Sequence, residues 1–157
     1  MPSWTSTWLS GLEAAGVTRA PDDWRGKKLG LPAEGIGAVA SFNARLGAVL
    51  ADLFVAGLLG AMINLSVTDP GLVAKQAAGI GALVGLYVVL LPWTRRTPGM
   101  ALAGIAVQRL DGRRLNPVAA LLRGVLVALT LPALFTDRQG RGLHDKLVGS
   151  VVVRTRD

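Results

Sequence analysis

The sequence predicts an all-α membrane protein: two transmembrane helices, a third membrane-embedded helical segment, and a small cytoplasmic β element. Three observations carry that prediction. The 157-residue chain is 51% hydrophobic but only 5% aromatic, with a mean hydropathy of +0.46. So much Leu, Ala, Val and Gly exceeds the needs of a small soluble core and suits helices packed closely in lipid. Two apolar runs, about 44–67 and 72–93, are each long enough to cross a hydrocarbon layer about 30 Å thick. The basic residues lie almost wholly outside these runs, as expected of loops on the cytoplasmic side of a membrane.

In chain order, residues 1–41 form a polar leader and 42–157 the membrane domain. Trp4, Trp8 and Leu12 recur every fourth residue, as on one face of a short helix. Either this is an interfacial helix or it is a plain tail. The Pro- and Gly-rich stretch APDDWRGKKLGLPAEG reads as an extended linker. The leader does not read as a secretory signal, because no basic and apolar regions precede Glu13, Asp22 and Asp23.

The first span reaches the turn signal Asp69-Pro70-Gly71. The second begins near Leu72, with Lys75 and Gln76 free to snorkel, and ends at Leu91-Pro92-Trp93, where Trp93 suits an interfacial anchor. Ala77, Gly81 and Gly85 make a row of small residues for helix packing, and Gly79-Ile80-Gly81 is packing rather than a phosphate loop. In the basic segment 94–115, Ile105-Ala106-Val107 and Asp111-Gly112 predict a strand followed by a tight turn. A third apolar run, 117–135, carries Arg123 and either crosses fully or dips in and returns near Thr130-Leu131-Pro132. The tail holds the β-branched run Ser150-Val151-Val152-Val153, which would pair with the first strand, about 103–109 against 148–154.

Orientation follows from the basic residues. Arg19, Arg25, Lys27, Lys28 and Arg45 precede the first span, and Arg95, Arg96, Arg109, Arg113 and Arg114 follow the second. Only Lys75 belongs to the turn between them. The N-terminus and the 94–115 segment are therefore expected in the cytoplasm. The tail, with Arg138, Arg141, Lys146, Arg154 and Arg156, asks for the same side.

Asp52 is the one charge inside the first span, and a carboxylate at such depth costs roughly 2.5–3.5 kcal/mol on insertion scales. It lies on a ridge of residues spaced by four, Ala44, Ala48, Asp52, Ala56, Gly60 and Asn64, which turns it toward other helices. The third run has a matching row, Asn116, Ala120, Gly124, Ala128 and Pro132, with Arg123 beside it. Asp52 is seven residues past Arg45, and Arg123 seven past Asn116, so both charges lie about 10 Å below the same face. This predicts an Asp52–Arg123 ion pair, with Arg45 able to join only by its long reach or through water. Such a pair either pins helix register or marks an ion or solute path.

Other chemistry is largely excluded. Cysteine is absent and histidine occurs once, which removes thiolate sites and multi-histidine metal sites. His144-Asp145 is too sparse for a metal centre; Asp145 is expected to cap backbone or to pair with the arginine-rich connecting segment. No metal, cofactor or enzymatic machinery is expected. A net charge of +7 raises nucleic acid as a partner, but flanking of membrane spans accounts for it. The expected partners are the bilayer and a second copy or another membrane subunit.

Four ordered motifs resemble the RDD family of small bacterial membrane proteins. FNARLGAVLAD supplies Arg45 and Asp52 at the family's spacing. TPGMALAGIAVQRLDG resembles its middle signature and contains Thr97, Gly99, Gly104 and Asp111. ALLRG supplies Arg123, and GLHDKLVGSVVV the closing signature with His144 and Asp145, the second aspartate. Met100 stands where the family usually has lysine, and Ser150 where threonine is common. The resemblance covers about 42–154 and implies an inner-membrane protein with a suspected role in transport of undefined ligands. Two functions stay open: passage of an ion or small solute, or support of it, centred on Arg45, Asp52 and Arg123; or a non-transport scaffold or accessory subunit in which the charges are structural.

Overall fold

The structure, a computed structural model, describes residues 24–69, 71–129 and 141–156. Two long antiparallel helices dominate it. Helix α1, Phe42–Leu65, begins where the Ser41 side chain accepts from the Ala44 N–H at 3.2 Å, an N-cap. Its buried residues are Ala48, Asp52, Ala56 and Gly60, the ridge read from the sequence. Small residues there let α2, Leu72–Thr94, approach closely: a Cβ on Gly60 would lie 2.8 Å from the Gly79 Cα. The other faces carry exposed Leu50, Phe54, Leu58 and Met62 on α1, and Ile80 and Val89 on α2.

At 24 and 23 residues, the helices are about 36 and 35 Å long, enough to span a bilayer core of about 30 Å. Only 22% and 17% of their most apolar stretches are buried, unlike the core helix of a soluble protein. Helix α2 ends as expected beside Pro92, with exposed Trp93. Arg95 then takes a left-handed conformation (φ 61°), and its N–H closes on the Leu91 carbonyl at 3.0 Å.

That reversal leads into a one-turn helix the sequence reading did not foresee, α3, Pro98–Leu102. Thr97 caps it, accepting from the Met100 N–H at 3.3 Å. Strand β1, Ile105–Arg109, follows and pairs antiparallel with β2, Ser150–Arg154, with Val107 opposite Val152. The expected pairing of these two segments is thus present. The free edge of β2 is used as well. Residues 37–40, read as part of the leader, run along it: Gly37 N–H donates to the Arg154 carbonyl (2.9 Å), Arg154 N–H to Ala38 (2.8 Å) and Ala40 N–H to Val152 (2.9 Å). On the other side, the Val107 N–H donates to the Arg95 carbonyl at 2.8 Å, which fastens the sheet to the end of α2.

The third apolar run contains helix α4, Pro117–Ala128, capped by Asn116, which accepts from the Ala119 N–H at 2.7 Å. Proline at the first turn suits this start. Ala120, Arg123, Gly124 and Val127 are buried. Gly124 meets α2, where a Cβ would lie 3.0 Å from the Tyr87 Cβ. A helix of twelve residues spans about 18 Å. The expected turn at 130–132 lies outside the described residues, as do Trp4, Trp8 and Leu12.

A final short helix, α5, Leu143–Leu147, leads into β2. The start of α1, the end of α2, the start of α4 and the sheet all gather at one end of the molecule, where Leu91, Met100, Ile105, Val107, Leu115 and Val152 share a buried apolar core.

Candidate functional site

Two buried carboxylates organise that end, and each has its own set of donors. Asp52, fully buried a little under halfway along α1, is held by uncharged groups. The Thr97 hydroxyl donates to Oδ2 at 2.5 Å, the Gly99 N–H to Oδ1 at 2.8 Å, and the Tyr87 hydroxyl reaches Oδ2 at 3.4 Å. The first turn of α3 is therefore docked against α1. Gly99 is required there, because any Cβ would overlap the Ala48 carbonyl.

Asp145, also fully buried, is held by cations. Its Oδ1 pairs with Arg123 Nη1 and accepts from the Ser150 hydroxyl at 3.2 Å. Its Oδ2 pairs with Arg45 Nη1 at 3.1 Å and accepts from the Gly142 N–H at 3.4 Å. Arg45 also donates through Nη2 to the Val152 carbonyl at 3.3 Å. One carboxylate thus ties α1, α4, α5 and β2 together. Such an arrangement is stable only when the charges remove each other's desolvation cost. With both acids ionised, Arg45, Arg123, Asp52 and Asp145 sum to zero.

The Asp52–Arg123 ion pair expected from matched depth does not form. Depth along two helices leaves open which acid lies between them. Here α3 folds back and fills the space around Asp52 with neutral donors, while α5 carries Asp145 up to Arg123. Arg45 is joined to Arg123 through Asp145, by a direct ion pair of its own with that carboxylate, and not through Asp52. Of the two expectations for Asp145, the backbone cap is present, but its ion pairs are made with Arg45 and Arg123 and not with the 94–115 segment.

Of the motif residues, Thr97, Gly99 and Asp145 converge on the cluster. Gly104 instead turns the chain from α3 into β1 at φ +64°, and Asp111 closes the turn after β1. There it accepts from Arg109 at 2.7 and 3.0 Å and from the Arg113 N–H at 3.0 Å; the Arg109 bonds hold its carboxyl below the usual range. His144 belongs to α5, and its side chain is outside the described set. Ser150 keeps the hydroxyl that threonine would supply, and uses it on Asp145. Tyr87 was missed from sequence, although a lone tyrosine inside an apolar span was a signal for a buried partner. Among the described residues no group of three or more acids or histidines could hold a metal ion.

The fold and cluster define a small helical protein with two membrane-length helices and a buried polar centre at one end. The RDD family model matches residues 39–149, and the chain belongs to the RDD family. Family and long apolar helices together fit a membrane protein. Comparison with curated proteins gave no match, and comparison with solved structures gave none either.

Proposed function

We propose that this chain is a multi-pass protein of the bacterial inner membrane that passes an ion or small solute, or supports such passage, with Asp52 as the working group. One observation carries this reading. Of two carboxylates buried to the same degree, Asp145 is neutralised by two arginines, while among the described residues Asp52 is bonded only to a threonine, a tyrosine and a backbone N–H. A carboxylate without a salt bridge can exchange a proton or cation without leaving an arginine unpaired in the interior. Arg123 Nε adds support: it is buried without a partner among the described residues, so a donor remains for water or solute oxygen.

In this reading the N-terminus, the sheet and the tail are cytoplasmic. Helix α4 enters from that side and residues 141–156 are back at it, which favours a third run that dips in and returns. No catalysis is assigned, and a second copy or another membrane subunit is the candidate protein partner. The competing reading, a scaffold or accessory subunit, draws on the way Asp52 fastens α3 to α1. Asp52→Asn separates the two. The amide keeps an acceptor for Thr97 and Tyr87 but cannot carry the charge. For transport, the variant folds and loses cation or proton flux in proteoliposomes. Unchanged flux in a folded variant defeats the transport reading, and loss of folding without any wild-type flux supports the scaffold.

A further inference from the structure

A cavity of about 380 Å³ opens at the sheet end of the molecule, and neither buried carboxylate lines it. Its lining includes Glu34, Ser41, Ala44, Gly104, Arg154 and Arg156. Arg156 is exposed at its rim. Its side chain lies across Gly104, where any Cβ would overlap it, and its guanidinium donates to the Leu102 carbonyl. Arg154 is positioned by β2, whose edge at this residue is paired with Gly37 and Ala38. Among the described residues neither arginine enters an ion pair, and Glu34, exposed on the same cavity, is joined to neither. Two cations and one anion thus face a common space without neutralising each other.

That pattern matches a ligand carrying both charges. Two arginines suit a phosphate, which accepts several charge-assisted hydrogen bonds, and a carboxylate suits a primary ammonium. Ser41 and Ala44 belong to the cap and first turn of α1, where the Ser41 hydroxyl takes the Ala44 N–H and the positive end of the helix dipole favours the same phosphate. They also fix the level of the cavity. Phe42, Leu46 and Leu50 are exposed on α1 from this turn onward, so the lipid-facing surface begins here.

We propose that this cavity binds a phosphoethanolamine group, supplied by the headgroup of a phosphatidylethanolamine of the cytoplasmic leaflet. Arg154 and Arg156 hold the phosphate, and Glu34 holds the ammonium. The site rests on the membrane placement proposed above but not on the role of Asp52.

Native mass spectrometry of the full chain, in detergent micelles doped with equal phosphatidylethanolamine and phosphatidylglycerol, tests the assignment. The wild-type chain retains phosphatidylethanolamine over phosphatidylglycerol by about tenfold, the ratio one charged contact supplies. Glu34→Gln brings that ratio close to one without reducing retained phosphatidylglycerol. Arg154→Gln combined with Arg156→Gln lowers retention of both lipids by about tenfold. All three positions are outside the apolar core, and unchanged thermal unfolding verifies that the variants fold. A wild-type ratio near one, or a ratio that survives Glu34→Gln, overturns the proposal. Displacement of the lipid by an equal concentration of free phosphoethanolamine overturns the lipid as the source. Alkaline carbonate extraction reports placement separately: a chain released by carbonate fails the membrane reading, whereas a retained chain without lipid preference fails the site alone.

Discussion

Asp145→Asn is expected to be the most damaging single change in the cluster. The substitution keeps the shape of the side chain but removes the anion shared by Arg45 and Arg123. Arg123 is 2% exposed and cannot turn outward, whereas Arg45 is 12% exposed and can. The cost is therefore that of one buried, unpaired guanidinium, about 3–5 kcal/mol. For a chain of this size that corresponds to a fall in Tm of roughly 6–20 °C. Replacing both partners, Arg123→Met with Asp145→Leu, recovers most of the loss because no buried charge is left behind. Thermal unfolding in detergent of the two single variants and the double gives the coupling between 123 and 145, expected to exceed about 1.5 kcal/mol. The same cycle between Asp52 and Arg123 is expected to give a smaller coupling, since no hydrogen bond joins them. Stability of Asp145→Asn within about 0.5 kcal/mol of wild type would refute the clasp. A larger coupling for 52–123 would restore the pairing that depth alone suggests.

The other predictions concern local geometry and sidedness. Gly99→Ala drives a methyl into the Ala48 carbonyl and is expected to cost about 1–3 kcal/mol, while Gly57→Ala on α1 meets nothing within 4 Å and is tolerated; thermal unfolding of the pair separates a specific contact from a general intolerance of added methyls. Asp111 titrates below an ordinary aspartate because Arg109 bonds its charged form. Its folded value is depressed, so its contribution is present above the ordinary range near 4 and is lost as pH falls through the lowered value. Arg109→Gln should move the carboxyl NMR titration upward, and no movement would contradict the pairing. Cysteine labelling in this cysteine-free chain reports topology: at Leu147, exposed on α5, an impermeant maleimide should react only from the cytoplasmic side, and at Val67 only from the opposite side. Labelling of both from one side would rule out the proposed arrangement.

The sequence by itself determined what depends on composition and period. The two long helices follow from uninterrupted apolar runs, and the four-residue ridge from Ala48 to Gly60 follows from helical geometry, because a buried face must be small where another helix approaches. The strand pairing was legible in two β-branched runs, and the position of Asp52 inside the packing followed from its place on the ridge. Tertiary structure alone decided which partner each charge takes. Arg123 could be assigned a depth, but Asp145 reaches it from twenty-two residues away through a one-turn helix with no strong signal of its own. Thr97 and Gly99 were visible as a motif, yet their purpose, to satisfy Asp52 with neutral donors, appears only when α3 folds back on α1. The use of residues 37–40 as a strand edge was hidden for the same reason. Backbone hydrogen bonds and buried charges are satisfied by whatever the fold brings near, and nearness between distant segments is a property of the packed chain rather than of any stretch of it.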